Sequence, residues 1–255
     1  MLQSGSAESC TETEMIPLRD DNPTRRFPLV VVALIAANVV VFLYQLILPK
    51  PQDALFVYAY GAIPAMIIGE VPRARLVEEL VANGVPFRPP DPVWLSIFTS
   101  MFLHGGLLHI GSNMLYLWIF GNNVEDVLGH VRFVIFYLVC GMVAAAAQIV
   151  MGLHSRVPMV GASGAIAGVL GAYYVKFPHA RVRCLVFLFF FVTIVMLPAS
   201  LVLLLWFLLQ VWESLKPAAG GGGVAFFAHI GGFLAGWALI RRFEPRRKRP
   251  VLVDW

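Results

Sequence analysis

The chain has 255 residues, of which 59% are hydrophobic and only 13% are charged. Soluble domains carry roughly 25% charged residues, so this is not the composition of an ordinary soluble domain. The apolar residues form blocks about as long as the ~20 residues that a membrane helix needs, which predicts a single polytopic membrane domain. The net charge of +4 comes from Lys and Arg clustered at the ends of these blocks, where they set membrane orientation; we expect no nucleic-acid partner.

The cysteines and the first residues of the chain predict neither a disulfide nor a cleavable signal peptide. Cys10 lies in a polar segment, Cys140 inside an apolar block and Cys184 beside a basic loop, so no pair is placed to form a disulfide. No group of residues has the spacing of metal ligands, and we expect neither a metal nor a cofactor. Residues 1–27 are polar and carry acids, unlike a cleavable signal peptide, so the first apolar block is expected to act as the insertion signal.

Six membrane spans are predicted. Their approximate ranges are residues 28–48, 106–120, 133–151, 161–176, 197–212 and 227–240. The basic residues before the first span and after the last should both be cytoplasmic, which requires an even number of spans. Residues 184–214 hold more apolar sequence than one span needs, and Pro198 divides them. A seventh span would put Ser163 and His229 on opposite membrane faces, so we predict that residues 184–196 are a re-entrant or interfacial piece on the cytoplasmic side.

The predicted organisation has three parts. Residues 1–27 form a loosely ordered, polar cytoplasmic tail, residues 28–242 a membrane domain, and residues 243–255 a basic cytoplasmic tail. Residues 49–105 are mixed in character and interrupted by prolines, and we expect them to form short helices in or on the outer leaflet. Residues 213–224, with the glycine run 220–223, are predicted to form a flexible loop before the last span.

One short glycine-rich stretch contains the first candidate for chemistry. Residues 160–168 read VGASGAIAG, so that Ser163 has glycines nearby and apolar residues after it. This pattern is typical of a hydroxyl at the start of a membrane-buried helix. Residues 228–232, which read AHIGG, place His229 at the start of the sixth span. With six spans, Ser163 and His229 lie at the external ends of the fourth and sixth spans, and we predict that they are in contact.

Small residues would let the fourth and sixth spans approach closely. They recur at roughly four-residue spacing, as Gly164, Gly168 and Gly171 in one span and Ala228, Gly232 and Gly236 in the other. A serine hydroxyl is a weak nucleophile until an adjacent base accepts its proton, and histidine is suited to that role. The predicted contact therefore points to nucleophilic catalysis.

The second span carries two further polar residues. His109 and Asn113 are four residues apart and share one face of a helix. Backbone N–H groups at the start of the fourth span, around Ser163, point outward without helical partners and favour negative charge. An oxyanion would form there during acyl transfer, and His109 and Asn113 could donate hydrogen bonds to the same charge. Glu125, beyond this span, is expected to cap or staple a loop.

Other interpretations of these residues remain open. Serine among glycines is ordinary packing material in membrane helices, and an intramembrane histidine can be a proton relay or a satisfied interhelical hydrogen bond. A transporter using His109, Asn113 and His229 as a polar pathway would show internal repeats, and we see no convincing repeat. The patterns G-x-S-G, H-x-x-x-N and A-H-x-x-G on three different spans together favour a hydrolytic site.

These three patterns resemble those of the rhomboid intramembrane serine proteases. The matching residues are 161–164, 228–232 and the segment from His104 to Asn113 that leads into Gly121 and Glu125. The resemblance covers residues 28–242. It implies an all-α membrane protein, a six-transmembrane-helix bundle with a partly membrane-embedded external loop between its first two helices.

The resemblance also implies roles for individual residues. Ser163 would be the nucleophile and His229 the general base of a serine endopeptidase, a dyad without a third, acidic member. His109, Asn113 and the backbone N–H of Ser163 would form the oxyanion hole. Gly161 would fix the shape of the loop before the serine, with Gly164 in a supporting position.

The implied substrates are single-span membrane proteins, cut near the outer end of their transmembrane helix after lateral entry past the fifth span. Expected partners are such substrates and the lipid bilayer. The expected location is a prokaryotic plasma membrane, with both termini cytoplasmic and the site open to the external side. A catalytically inactive relative that binds or chaperones membrane proteins is the main alternative, although such relatives usually lack the serine or the histidine.

The sequence departs from the family pattern at two places. The position four residues after the serine is often aromatic and packs on the catalytic histidine, but here it is Ala167. A tryptophan-arginine pair found in the external loop of some members is absent. We expect Trp94, Phe98 and the neighbouring prolines to orient that loop instead.

Overall fold

Helices dominate the part of the chain that the computed structural model describes, which comprises residues 15–188, 191–216 and 224–245. The glycine run 220–223 of the predicted loop and the tail beyond residue 245 lie outside these ranges, as do residues 1–14. In chain order the elements are β1 (Met15–Asp20), α1 (Leu29–Ile47), α2 (Gln52–Tyr60), α3 (Pro64–Ile67), α4 (Arg73–Ala82), a 3₁₀ turn (Val93–Leu95), α5 (Ser96–Thr99), a second 3₁₀ turn (Ser100–Phe102), α6 (Leu107–Leu128), α7 (His130–Met151), α8 (Ser163–Lys176), β2 (Arg181–Leu188), β3 (Phe191–Pro198), α9 (Ala199–Ser214) and α10 (Phe226–Phe243).

Six apolar helices, α1 and α6 to α10, lie where the six spans were predicted. Helix α6 continues past residue 120, the predicted end of the second span, to Leu128, and only Gly129, at a φ of 75°, separates it from α7. Among the described residues, α1 and α7 are each long and apolar enough to cross a membrane. The pair formed by residues 93–102 and α6, bent by 84°, would be a third crossing. The six-span topology therefore stays a prediction.

A three-stranded antiparallel sheet corrects the expectation of an all-α protein. Its strand order is β1-β2-β3. Along β2, Val182, Cys184 and Val186 are buried while Arg181 and Arg183, which alternate with them, are exposed, which is the two-residue period of a half-buried strand. The described residues of the segment 184–196, predicted as a re-entrant or interfacial piece, thus lie in the paired strands β2 and β3.

The sheet also orders part of the predicted loose N-terminal tail. β1 pairs with β2, and Asp20 at its end reaches the helices. The Asp20 carboxylate accepts hydrogen bonds from the Tyr173 hydroxyl at 2.6 Å and from the Asn123 amide at 2.8 Å, so it ties β1 to α8 and α6. Burial raises the pKa of Asp20 above its usual value, an effect that the hydrogen bond from Tyr173 partly offsets.

The core is built around α8. Every residue from Ala165 to Tyr173 is buried, because α6, α7, α9 and α10 all pack against this helix. Apolar residues on all sides of a helix are expected where the helix has no exposed face. The central position of α8 brings its first residue, Ser163, within reach of several elements.

The segment between α1 and α6 forms a separate small core beside this bundle. Residues of α2, α3 and α4, among them Ala59, Met66 and Leu80, pack together there. Two backbone hydrogen bonds between Ala62 and Met159, at 3.1 and 2.8 Å, attach the segment to the loop between α7 and α8. The predicted external loop therefore lies against the residues that lead into Ser163.

Glu125 caps a helix that is distant from it in the sequence. It belongs to α6, and its side chain is 1% exposed. Its two carboxylate oxygens accept hydrogen bonds from the backbone N–H groups of Val30 and Val31, at 2.9 and 2.8 Å, and one also contacts His130. These N–H groups belong to the first turn of α1, which has no side-chain cap of its own. A buried carboxylate from another helix thus caps α1.

We expect replacement of Glu125 by Ala to lower the free energy of unfolding by about 2–4 kcal/mol, because two charge-assisted hydrogen bonds are lost and buried donors are left unpaired. Thermal unfolding in detergent measures the change. The matched control is Asp126→Ala, since Asp126 accepts one exposed hydrogen bond from the Arg25 backbone at 3.2 Å. Equal effects of the two substitutions would show that Glu125 does not hold α1 in place.

Candidate active site

Glycines bring α8 and α10 into backbone contact. A methyl group built on Gly232 would lie 2.1 Å from the carbonyl oxygen of Gly164, and one on Gly236 would lie 1.8 Å from that of Gly168. Real side-chain carbons cannot approach an oxygen so closely. The two helices therefore pack at a separation that only glycine permits at these positions, as the small-residue spacing predicts.

This packing places the predicted serine and histidine next to each other. Ser163 is the first residue of α8, and His229 lies in the first turn of α10. The Oγ atom of Ser163 is 2.8 Å from Nε2 of His229, which is hydrogen-bond distance. His229 is 9% exposed, while Ser163 is half-buried. A nucleophile and a base are thus adjacent, with the hydroxyl on the more accessible side.

Gly161 shapes the loop that leads into α8. Its φ is 118°, a conformation that residues with a side chain rarely adopt. A methyl group on Gly161 would lie 2.8 Å from Nε2 of His109, and its N–H donates to the Ser100 carbonyl at 2.9 Å. The loop can therefore pass beside the His109 ring only because residue 161 is glycine.

The His109 ring is held by the turn before α6. Its Nδ1 accepts a hydrogen bond from the backbone N–H of Gly105 at 3.3 Å. A neutral imidazole carries its proton on the other nitrogen when Nδ1 is an acceptor, so Nε2 is a donor. Nε2 is also the atom beside Gly161, close to the start of α8. His109 thus presents an N–H toward the loop that carries Ser163.

Asn113 and Gly164, which were also predicted at the site, contact neighbouring parts of the helices. Asn113 is 5% exposed, and its Nδ2 donates back to the carbonyl oxygen of His109 at 2.8 Å, which occupies one of its two N–H groups. A methyl group on Gly164 would lie 2.7 Å from the side chain of Ala144, so Gly164 lets α8 pack against α7. Asn113 therefore holds the first turn of α6, and Gly164 helps position α8.

Two residues of α9 complete the site and were not predicted. Oε1 of Gln210 lies 2.7 Å from Nδ1 of His229, and the Trp206 ring lies 5.7 Å from the His229 ring between centroids. Gln210 is a polar residue inside an apolar helix, the same signal that identified His109 and Asn113. That signal could have found it. Nothing in the sequence near Trp206 indicates its contact with His229.

The arrangement suits acyl transfer. The first N–H groups of α8 lack acceptors within the helix, because the first helical hydrogen bond there runs from Ile166 to Ala162. Together with His109 they surround Ser163 with donors, where a negative charge would develop on attack at a carbonyl. Within the described ranges, no group of three His, Cys, Asp or Glu side chains is placed to hold a metal ion.

We expect Gly236→Ala to destabilise the protein by about 1–3 kcal/mol, because the added methyl group overlaps the Gly168 carbonyl and forces α8 and α10 apart. The midpoint of thermal unfolding in detergent reports the change. Gly111→Ala on α6 is the matched control, since a methyl group there meets nothing within 4 Å. Alanine is also the better helix former, by about 1 kcal/mol. A Gly236→Ala protein as stable as the control would contradict the close packing.

Comparison with known proteins supports the resemblance seen in the sequence. The Rhomboid domain family model matches residues 91–244. The chain is 32% identical over 164 residues to Rhomboid protein 1, mitochondrial, of Saccharomyces cerevisiae, covering 61% of the chain and 44% of that protein. It is 42% identical over 79 residues to Rhomboid protease GluP of Bacillus subtilis, covering 31% and 15%. It is 30% identical over 155 residues to RHOMBOID-like protein 1 of Arabidopsis thaliana, covering 57% and 39%.

The chain thus spans less than half the length of each of these relatives. One of them is named as mitochondrial and another comes from a bacterium, so the similarity does not support the expectation of a prokaryotic plasma membrane over a mitochondrial one. The family model, however, covers more than half of the chain and includes every residue of the candidate site. The chain belongs to the rhomboid family of membrane proteins.

Proposed function

We propose that the protein is an intramembrane serine endopeptidase that hydrolyses peptide bonds of transmembrane proteins near the outer membrane face. The observation that carries the proposal is the 2.8 Å contact between Ser163 Oγ and His229 Nε2. A hydroxyl and an imidazole in this geometry form the nucleophile–base pair that acyl transfer requires. Membership of a family that includes serine proteases as well as inactive members supports it.

In the proposed reaction, His229 Nε2 accepts the proton of Ser163 as Oγ attacks the carbonyl carbon of the scissile bond. The tetrahedral intermediate collapses when His229 gives that proton to the leaving amine, and an acyl-serine ester remains. Water then attacks the ester, and His229 accepts a proton from it. The bond to Oγ breaks as His229 returns that proton to Ser163, which releases the new carboxyl terminus and regenerates both the nucleophile and the base.

The proposed oxyanion hole consists of donors around Ser163. The backbone N–H of Ser163 lies at the positive end of α8, and Nε2 of His109 carries the proton on the side of Gly161. Asn113 would contribute the N–H that does not bond to the His109 carbonyl. Each donor of this kind typically accounts for about 10²–10³ in rate.

The proposed topology has six crossings, with both tails on the cytoplasmic side and Ser163 toward the outside. Arg25 and Arg26 precede α1, and Arg241 and Arg242 are exposed in the last turn of α10, so the two basic clusters flank ends that would share one compartment. The functional unit would be residues 28–242, flanked by the tails 1–27 and 243–255. The substrates would be single-span proteins that reach the site from the lipid bilayer.

The proposal is tested with purified protein in liposomes, a panel of labelled single-span substrates and a serine-directed fluorophosphonate. We expect the wild type to cleave at least one substrate and to be labelled at Ser163. Ser163→Ala and His229→Ala should each lose at least about 10³-fold in rate, because neither half of a nucleophile–base pair works alone. Ser155→Ala, in the loop before α8, is the control and should be labelled like the wild type.

Two outcomes would count against the proposal. A folded wild type that neither reacts with the probe nor cleaves any substrate behaves as an inactive member of the family. Cleavage that persists in Ser163→Ala would show that another residue or a contaminant is responsible for the activity. The two results are distinguishable, because product forms in the second case and not in the first.

A further inference from the structure

One helix of the bundle contributes to the site from a peripheral position. The outer face of α9 is exposed along its length, at Leu201, Leu204, Leu205, Leu208, Leu209 and Trp212. Its inner face carries Gln210, which is 7% exposed, and the half-buried Trp206. Both of these side chains contact His229. A buried amide in an otherwise apolar membrane helix is expensive unless its hydrogen bonds are used.

The contact between Gln210 and His229 selects one form of the imidazole. Oε1 of Gln210 can only accept a hydrogen bond, so Nδ1 of His229, at 2.7 Å, must carry the proton. A neutral imidazole protonated on Nδ1 has a free electron pair on Nε2. That is the atom that lies 2.8 Å from the Ser163 hydroxyl. With Gln210 in place, His229 is therefore held in the form that can act as a base.

Trp206 fixes the same ring in a second way. Its ring is inclined by 39° to the His229 ring at a centroid distance of 5.7 Å, and it also lies 6.3 Å from the ring of Phe233. Aromatic rings at such distances attract each other beyond the effect of the area that they bury. Ala167, on α8, has no aromatic ring. The aromatic neighbour of His229 comes from α9 instead.

We infer that Gln210 is a positioning residue, whose amide oxygen holds His229 in the tautomer and orientation needed to accept the Ser163 proton, with Trp206 restricting the ring. This inference rests on the proposed function. It makes α9 part of the catalytic apparatus, although neither residue touches the reacting atoms. It also distinguishes the site from one in which a carboxylate orients the histidine, because an amide offers an acceptor without a full negative charge.

Three variants of Gln210 and its neighbour test the inference. Gln210→Leu removes the acceptor at nearly constant volume. Loss of a group that orients a metal-bound histidine typically costs about 10–100-fold, and we expect a factor of that order for His229. We expect kcat to fall by that factor with KM unchanged, since no substrate contact is lost. Trp206→Leu should lower kcat in the same way. Trp212→Leu, on the exposed face of the same helix, is the matched control and should retain wild-type kinetics.

Gln210→Glu gives a readout that a structural role would not change. A carboxylate still accepts from Nδ1, so activity at high pH should be recovered relative to Gln210→Leu. The negative charge also favours imidazolium, so the acid limb of the pH–rate profile should move to higher pH. The ionisable group that acts on His229 from α6 is His109. The polar side chains of α8 and α9 that contact His229, Ser163 and Gln210, are uncharged, as is Gln148 of α7, which contacts the backbone of Ala228. His109 is common to all variants, so the comparison isolates residue 210.

A third readout does not depend on activity. In ¹⁵N spectra of histidine-labelled protein, with His229 identified by comparison with His229→Ala, the wild type should show the Nδ1-protonated tautomer. Gln210→Leu should show a larger share of the other tautomer. An unchanged tautomer, or a Gln210→Glu profile without a shift and with the same loss as Gln210→Leu, would overturn the inference. Absence of activity in the wild type would instead refute the proposed function, while the tautomer measurement still decides the role of Gln210.

Discussion

The structure depends on the direct backbone contact between α8 and α10. Gly232 and Gly236 lie so close to the carbonyl oxygens of α8 that any side chain would overlap them. Helices in a membrane gain little from burying apolar surface against each other, so close van der Waals contact between small residues is a main source of their association. Because Ser163 and His229 occupy the first turns of these two helices, the same contact sets the distance between hydroxyl and imidazole.

α8 is held at both of its ends. At one end, the loop shaped by Gly161 fixes how the chain enters the helix beside His109. At the other end, Tyr173 donates its hydroxyl hydrogen to Asp20, whose strand belongs to the sheet next to α9. The serine is therefore presented by a helix with little freedom to slide or rotate. Such preorganisation is what a site needs if its donors are to meet a developing charge without rearranging.

The sequence predicted the helices and the pair of contacting residues well, because apolar blocks and glycine spacing are local signals. The positions of α1 and α6 to α10, and the contact of Ser163 with His229, follow from them. The sheet was not predicted because β2 and β3 are apolar enough to resemble membrane segments. The alternation of Arg181 and Arg183 with buried residues is the local signal for β2. Gln210 carries a usable signal, as a polar residue in an apolar helix, and a capping role was expected for Glu125. Their partners, His229 and the first turn of α1, could not be named, because no local pattern specifies these contacts.

The most direct test of this account is an experimental structure, in lipid, of the covalent adduct between the protein and a fluorophosphonate. We expect phosphorus bonded to Oγ of Ser163, the phosphoryl oxygen facing Nε2 of His109, and Nε2 of His229 within hydrogen-bond distance of the modified serine oxygen. α8 and α10 should remain in contact through their glycines. An adduct on another residue, or α8 and α10 separated so that His229 cannot reach Ser163, would contradict the account.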